Sequence, residues 1–230
     1  MKSLPFALAL LPFLVATPVA SAATWGEFTR EELFSTHLEE APGADAVVLL
    51  DHGAARVDHK FRLKFTRHRR VKIFTEAGAA QNVMRIPYAE GTELKKFRAH
   101  TFLPPDKKEK VKGDHVRDEE TPDGMVRIVT FPKVQPGAIL EVSYELRRKE
   151  LDVVDPWFFQ SEHFTRESRF DLQLPKGLAH RALHGGLVGP APKPVIDQIN
   201  DPEKAERRLW QTTWTARDVP AHAPQPLTPN

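Results

Sequence analysis

The chain has 230 residues, 28% of them charged, with 33 Lys and Arg set against 31 Asp and Glu for a formal net charge of +2. A balance this even gives no overall field that would gather nucleic acid or an anionic membrane. Cysteine is absent, which excludes disulfides, a lipid-modified N-terminal Cys, a thiol nucleophile and thiolate metal ligation.

The first stretch, MKSLPFALALLPFLVATPVASA, carries one charge at Lys2, an apolar run from Leu4 to Val19 and a small-x-small ending at Ala20-Ser21-Ala22. That layout predicts a secretory signal peptide over residues 1–22, cleaved before Ala23. Pro12 and Pro18 interrupt the run, against an uncleaved anchor. No later segment reads as a membrane-crossing helix, so the expected location is periplasmic or secreted.

Residues 23–40 read as an N-terminal helical segment. Thr29-Arg30-Glu31-Glu32 has capping-box spacing, which predicts a short helix through about His37. Residues 41–217 read as strands. Ala46 to Leu50 is a compact apolar run, and Phe61, Leu63 and Phe65 alternate with Arg62 and Lys64 before Val71 and Ile73 resume the pattern. Glu76-Ala77-Gly78 reads as the closing turn. Further strands are predicted at Val83 to Tyr88, Phe97 to Leu103 and Met125 to Phe131, the last after the turn signal Thr121-Pro122-Asp123-Gly124. Beyond the Pro136-Gly137 corner, Leu140, Val142, Tyr144 and Leu146 point one way and Glu141, Ser143, Glu145 and Arg147 the other, toward solvent. Gly185 to Glu203 reads as a long loop, Arg208 to Trp214 as a last strand, and residues 218–230 as a proline-rich linker or tail. The predicted fold is all-β, a two-sheet antiparallel β-sandwich with one short N-terminal helix.

Several anchors fall in a recognisable order: Trp25-Gly26 with Glu31-Glu32-Leu33, Val71-Lys72-Ile73-Phe74-Thr75-Glu76-Ala77-Gly78, Ile86-Pro87-Tyr88, Phe131-Pro132 with Pro136-Gly137, Glu141-Val142-Ser143-Tyr144, Trp157 with Phe159-Gln160, and Leu174-Pro175. In this order the chain resembles the bacterial domain of unknown function that stands N-terminal to transglutaminase-like, papain-type core domains in exported proteins. The resemblance implies a sandwich-like module whose Val219-Pro220-Ala221 exit leads toward a core carrying a Cys-His-Asp triad. No residue here matches that triad. Pro104-Pro105-Asp106 replaces the usual Pro-Asp-Gly turn, and Gly185 to Glu203 aligns poorly.

Three Asp-His dipeptides, Asp51-His52, Asp58-His59 and Asp114-His115, invite a metal reading. Strand neighbours point to opposite faces, so a dipeptide cannot easily share one ion, and neither a metal site nor a cofactor is expected. Ser161-Glu162-His163 holds the residue types of a hydrolase triad, but adjacency in sequence says nothing about assembly in space. Arg67-His68-Arg69-Arg70-Val71-Lys72 reads as a charged solvent face, with an envelope polyanion as the sharper alternative. The aromatics Trp157, Phe159, Trp210 and Trp214 are the candidate binding residues, either packed in a core or domain interface or lining a glycan or peptide groove. The expected function is non-catalytic support of, or substrate presentation to, a transglutaminase-like domain. The alternative is a free-standing envelope protein that binds a glycan or peptide.

Overall fold

The structure, a computed structural model, describes residues 24–149, 154–178, 180–183, 185 and 191–222. The expected leader, the last part of the proline-rich tail and residues 186–190 of the expected loop lie outside the described residues. The chain is all-β. An eight-stranded sheet runs in the order β10 (Val195–Asp201), β11 (Lys204–Val219), β9 (Phe164–Pro175), β1 (Ala46–Val57), β2 (Leu63–Ile73), β8 (Ile139–Arg148), β4 (Thr92–Leu103) and β5 (Lys107–Lys110). A three-stranded sheet runs β3 (Val83–Tyr88), β7 (Gly124–Thr130) and β6 (Val116–Thr121). Within the large sheet, β1 and β9 pair in parallel and the other neighbours pair antiparallel.

The central strand β1 changes parity along its length. Its register against β2 shifts between Val48 and Leu50, and a bulge exchanges the two faces of a strand. Ala46 and Val48 before the shift, and Ala55 and Val57 after it, therefore join the core on one face. Ile86 of β3 and Val129 of β7 share a cluster there with Val48, Val71, Ala99, Leu140 and Val142. The small sheet thus packs over one half of this face, and each aliphatic side chain removed from water contributes roughly 1.5–3 kcal/mol. On the other half, Ala55, Val57, Leu63, Phe170, Leu172 and Trp214 pack with Phe159 from the segment between β8 and β9. Phe65 touches both clusters.

The capping box forms as its spacing predicts. Thr29 Oγ1 accepts the Glu32 N–H at 3.1 Å, and Glu32 Oε2 accepts the Thr29 N–H at 2.8 Å. The helix, α1, spans Arg30–Phe34 and stops short of His37. A second one-turn helix, α2 (Glu76–Ala79), stands where a plain turn is expected, capped by Thr75. Gly78 is needed there, because an added Cβ would lie 2.2 Å from the Asp45 carbonyl oxygen.

Four other expectations are corrected. Phe61 is not a core residue: it sits at φ 55° in the β1–β2 turn and is 56% exposed. Asp58 Oδ1 accepts the N–H groups of Lys60 and Arg62 and closes the hairpin before the alternation begins. Within Gly185 to Glu203, residues 195–201 form β10, a polar edge strand that needs only one partner and so lacks a buried apolar face. Glu141 and Glu145 do not face solvent; they are 0% and 2% exposed. The N-terminal segment covers Glu141, while Lys64, Lys96 and Arg147 surround the Glu145 carboxylate. The basic run of β2 is likewise enclosed rather than solvated, with Arg70 and Lys72 at 2% and 0% exposure.

Candidate functional site

On the face shared by both core clusters, β2 directs Arg67 and Arg69 toward Asp51 of β1, whose partner in register is Arg69. Arg67 grips the carboxylate with both arms, Nε to Oδ1 at 2.7 Å and Nη2 to Oδ2. Arg69 Nε stands 3.7 Å from Oδ2 and makes no hydrogen bond among the described residues. Burial disfavours both charged guanidiniums. For Arg67 the Asp51 carboxylate outweighs it and holds the pKa above the ordinary value, whereas for Arg69 burial prevails and lowers it. Two cations thus share one anion. Burial raises the pKa of the neighbouring Tyr144 phenol, with Arg67 opposing.

An aromatic ladder crosses the same face. Tyr144 and Phe65 lie 6.4 Å apart, Phe65 and Trp157 6.3 Å, Trp157 and Phe170 5.5 Å at 19°, and Phe170 and Trp214 6.1 Å at 27°. Trp157 fits because Gly53 of β1 has no side chain: a Cβ there would stand 2.4 Å from the indole. Its Nε1 donates to Ser168 Oγ at 3.1 Å, and the Arg67 guanidinium lies 5.0 Å from its ring centroid. Of the four aromatics singled out in the sequence, Trp157 is half-buried, Phe159 and Trp214 are buried, and these three meet in one cluster. Trp210 stands apart from it, 42% exposed.

The opposite face carries a second network beneath the N-terminal segment. The Glu141 carboxylate accepts the Gly26 N–H at 3.0 Å and the Arg70 Nε and Nη2 at 3.2 and 2.7 Å, and His68 Nε2 lies 2.7 Å away. Burial opposes this charge, but His68 and Arg70 outweigh it and lower the Glu141 pKa. Arg70 continues to Glu32 and the Thr24 carbonyl and lies over the Phe28 ring. Lys72 Nζ donates to the carbonyls of Leu33 and Gly137, both at 2.8 Å, and burial lowers its pKa to about 8. Backbone acceptors leave its charge only partly offset.

Where β11 ends, an open cleft of about 770 Å³ lies between Pro42, Asp45, Gln81, Val83, His163 and Pro220. The outgoing chain is strapped to the start of β9: the Ser161 carbonyl accepts the His222 N–H at 2.7 Å, and Gln160 Nε2 donates to the Pro220 carbonyl. Burial lowers the His163 pKa, with Glu162 opposing. Ser161 Oγ donates to the His163 carbonyl at 3.0 Å and accepts the His163 N–H. The hydroxyl shapes a turn and does not address the imidazole.

Of the three Asp-His dipeptides only Asp51-His52 lies on a strand, and it diverges as strand parity requires; Asp58-His59 lies in the turn after β1 and Asp114-His115 in a one-turn 3-10 helix, Gly113–His115. Asp51 meets Arg67 while His52 Nε2 lies 2.7 Å from Glu167 on the other face. Among the described residues, no group of three or more His, Asp or Glu side chains could hold a metal ion, and no helix is long and apolar enough to cross a membrane. Asp51, Arg67, Arg69 and Tyr144 escape a sequence reading as a site because their proximity depends on strand register. The one available signal is the parity that separates Asp51 from His52.

The fold and these clusters define an all-β module with a covered aromatic face and a cleft at its exit. Residues 59–223 match the family described as a Domain of Unknown Function with solved-structure structure (DUF3857), and the chain belongs to that family. Its structure is similar to that of a protein from Parabacteroides distasonis provisionally named a protease, with a TM-score of 0.62 and 13% identity over 80% of this chain and 38% of that one. The chain therefore spans well under half of that protein, and the likeness shows fold alone. Native leukotriene A4 hydrolase from Saccharomyces cerevisiae aligns at a TM-score of 0.37 and 10% identity, over 74% of this chain and 29% of that one, which carries no inference. No curated protein matches the sequence.

Proposed function

We propose that this chain is a non-catalytic module of an exported protein that supports, or presents substrate to, a transglutaminase-like, papain-type domain. Its two sheets act as a sandwich-like scaffold in the periplasm or outside the cell. The observation that carries the reading is the exit cleft: the loop before β1, the start of β3 and the start of β9 converge where Pro220 leaves the sheet. A domain tethered at that point has a concave, mixed polar and apolar surface beside it. Family membership and the resemblance of the ordered anchors point the same way, and the leader-like N-terminus supports export.

The gene beyond Asn230, or its neighbour, provides the test. The expected result is a reading frame carrying a Cys-His-Asp set; its absence from both places overturns the proposal. Turnover of peptide or isopeptide substrates by the purified chain alone would equally defeat the non-catalytic part. The second reading, a free-standing glycan or peptide binder, is favoured by the 42% exposure of Trp210. It predicts that Trp210→Ala abolishes retention on cell-wall glycan, whereas the leading reading expects no such retention.

A further inference from the structure

The end of the large sheet remote from the exit carries a different concentration of charge. Three adjacent strands finish there. Lys176 directly follows β9, Arg207 and Arg208 lie in the opening half of β11, and His59 sits in the turn after β1. Leu209 pairs with Pro175, so the next step outward sets Arg208 beside Lys176. Like charges directly across a strand pair repel. His59, Lys176, Arg207 and Arg208 line a cleft of about 310 Å³, and none of the four side chains has an ion pair or hydrogen bond among the described residues.

Three nearby carboxylates, Asp58, Asp201 and Glu203, are engaged elsewhere, and Glu206, which precedes Arg207 on β11, does not line the cleft. Asp58 holds the backbone of its own turn and the Arg62 guanidinium, Asp201 accepts the Glu203 N–H and faces Arg56, and Glu203 takes Lys64 at 2.7 Å. By contrast, Arg56 of β1, Lys64, Arg67, Arg69 and Arg70 of β2 and Arg217 of β11 each have an acid within 4.0 Å. The cleft thus gathers four side chains without an acid partner in a chain whose total charge is nearly balanced. Two exposed aromatics adjoin it in the chain: Phe61 belongs to the His59 turn, and Trp210 follows Arg208 by two positions, which places Arg208 and Trp210 on one side of β11.

We propose that this cleft binds a phosphate group, with Trp210 and Phe61 packing against the organic part of the ligand. Lys176 and Arg208 stand side by side, while Arg207, which strand parity turns the other way, and His59 complete the lining, so an anion with oxygens pointing in several directions is met from different sides. A planar carboxylate is satisfied by a single arginine fork. The volume is enough for a headgroup or a single phosphorylated sugar. The phosphate comes either from a soluble phosphoester or from a lipid headgroup. The proposal is independent of any partner at the exit cleft, which lies at the opposite end of β9.

Calorimetric titration of the purified chain with inorganic phosphate and glycerol phosphate, alongside cosedimentation with phosphatidylglycerol-containing or pure phosphatidylcholine vesicles, tests it. Saturable binding is expected, weakened about tenfold or more by R207Q/R208Q and by H59N/K176Q. The control K108Q/K110Q, on the far edge strand β5, should change it less than about twofold. Binding to soluble phosphates without vesicles assigns a phosphoester, and retention on the anionic vesicles assigns a headgroup. Absence of binding in every format overturns the proposal, as does equal weakening by the control in a correctly folded protein. Variants are compared only after circular dichroism shows matching folds, and the two cleft pairs provide independent chances of that.

Discussion

Two buried charge clusters occupy opposite faces of β2, one step apart in sequence. On the N-terminal side, the fully buried Glu141 is saturated by Gly26, His68 and Arg70; the Gly26 N–H and the reach of Arg70 to Glu32 and the Thr24 carbonyl tie residues 24–34 to the sheet. On the aromatic side, one carboxylate, Asp51, faces two arginines, and Arg69 Nε is left over. A saturated network fixes one arrangement and is costly to break, whereas an unbalanced one leaves a charge that can be removed cheaply. The first cluster works as a clasp. The second is the place in the core where polarity exceeds structural need.

Removing the centre of the clasp should have the largest effect. Glu141→Leu strands Arg70 and the Gly26 N–H, and is expected to destabilise by about 3–5 kcal/mol in urea unfolding. Amide exchange should quicken across residues 24–44, and an unchanged pattern there would show that Glu141 does not hold the N-terminal segment. Next, Gly53→Ala drives a Cβ into Trp157; about 1–3 kcal/mol should be lost and tryptophan emission should shift red as the indole leaves its seat.

Lys72, which holds the Leu33 carbonyl on the clasp side, gives that side a pH dependence. Its ammonium titrates near 10.5 when unfolded and near 8 when folded. Between those values the unfolded chain holds the proton that the folded chain has released, so stability rises with pH across that window. Relative to Lys72→Met, the wild type should gain on the order of 2 kcal/mol from pH 8 to 10.5. A flat difference would show that Lys72 is solvated. The smallest effect is expected at Arg69→Met, within about 1 kcal/mol of wild type by thermal melting, since Asp51 keeps Arg67 and the buried excess charge disappears. A loss as large as that of Glu141→Leu would make the two clusters equivalent.

Local signals in the sequence carried far. The capping box, the apolar start of β1 and the inward set Leu140, Val142, Tyr144 and Leu146 are each written within about ten residues and need no distant partner. The other face of β8 could not be read that way. Glu141 is buried by Gly26, which lies 115 positions away, so its surroundings are decided by chain return rather than by alternation. The basic run of β2 misleads for the same reason: its residues split between two enclosed faces. The strand β9 is passed over because its first half, Thr-Arg-Glu-Ser-Arg, is polar, although Phe170, Leu172 and Leu174 keep the two-residue period. Edge strands such as β5 and β10 carry little apolar pattern, since hydrogen bonding to one neighbour holds them.

The parallel join between β1 and β9 sets the order in which the molecule can be assembled. Val47 waits for Phe164, so most of the chain must emerge before the middle of the large sheet is complete, and long-range pairing of this kind is slow. Until then β1 keeps one bare flank, a row of open amides and carbonyls running past a groove that Trp157 has yet to fill. A nascent or shortened polypeptide ending before β9 is accordingly a sticky one, and holding it apart from its copies falls to whatever escorts it during synthesis.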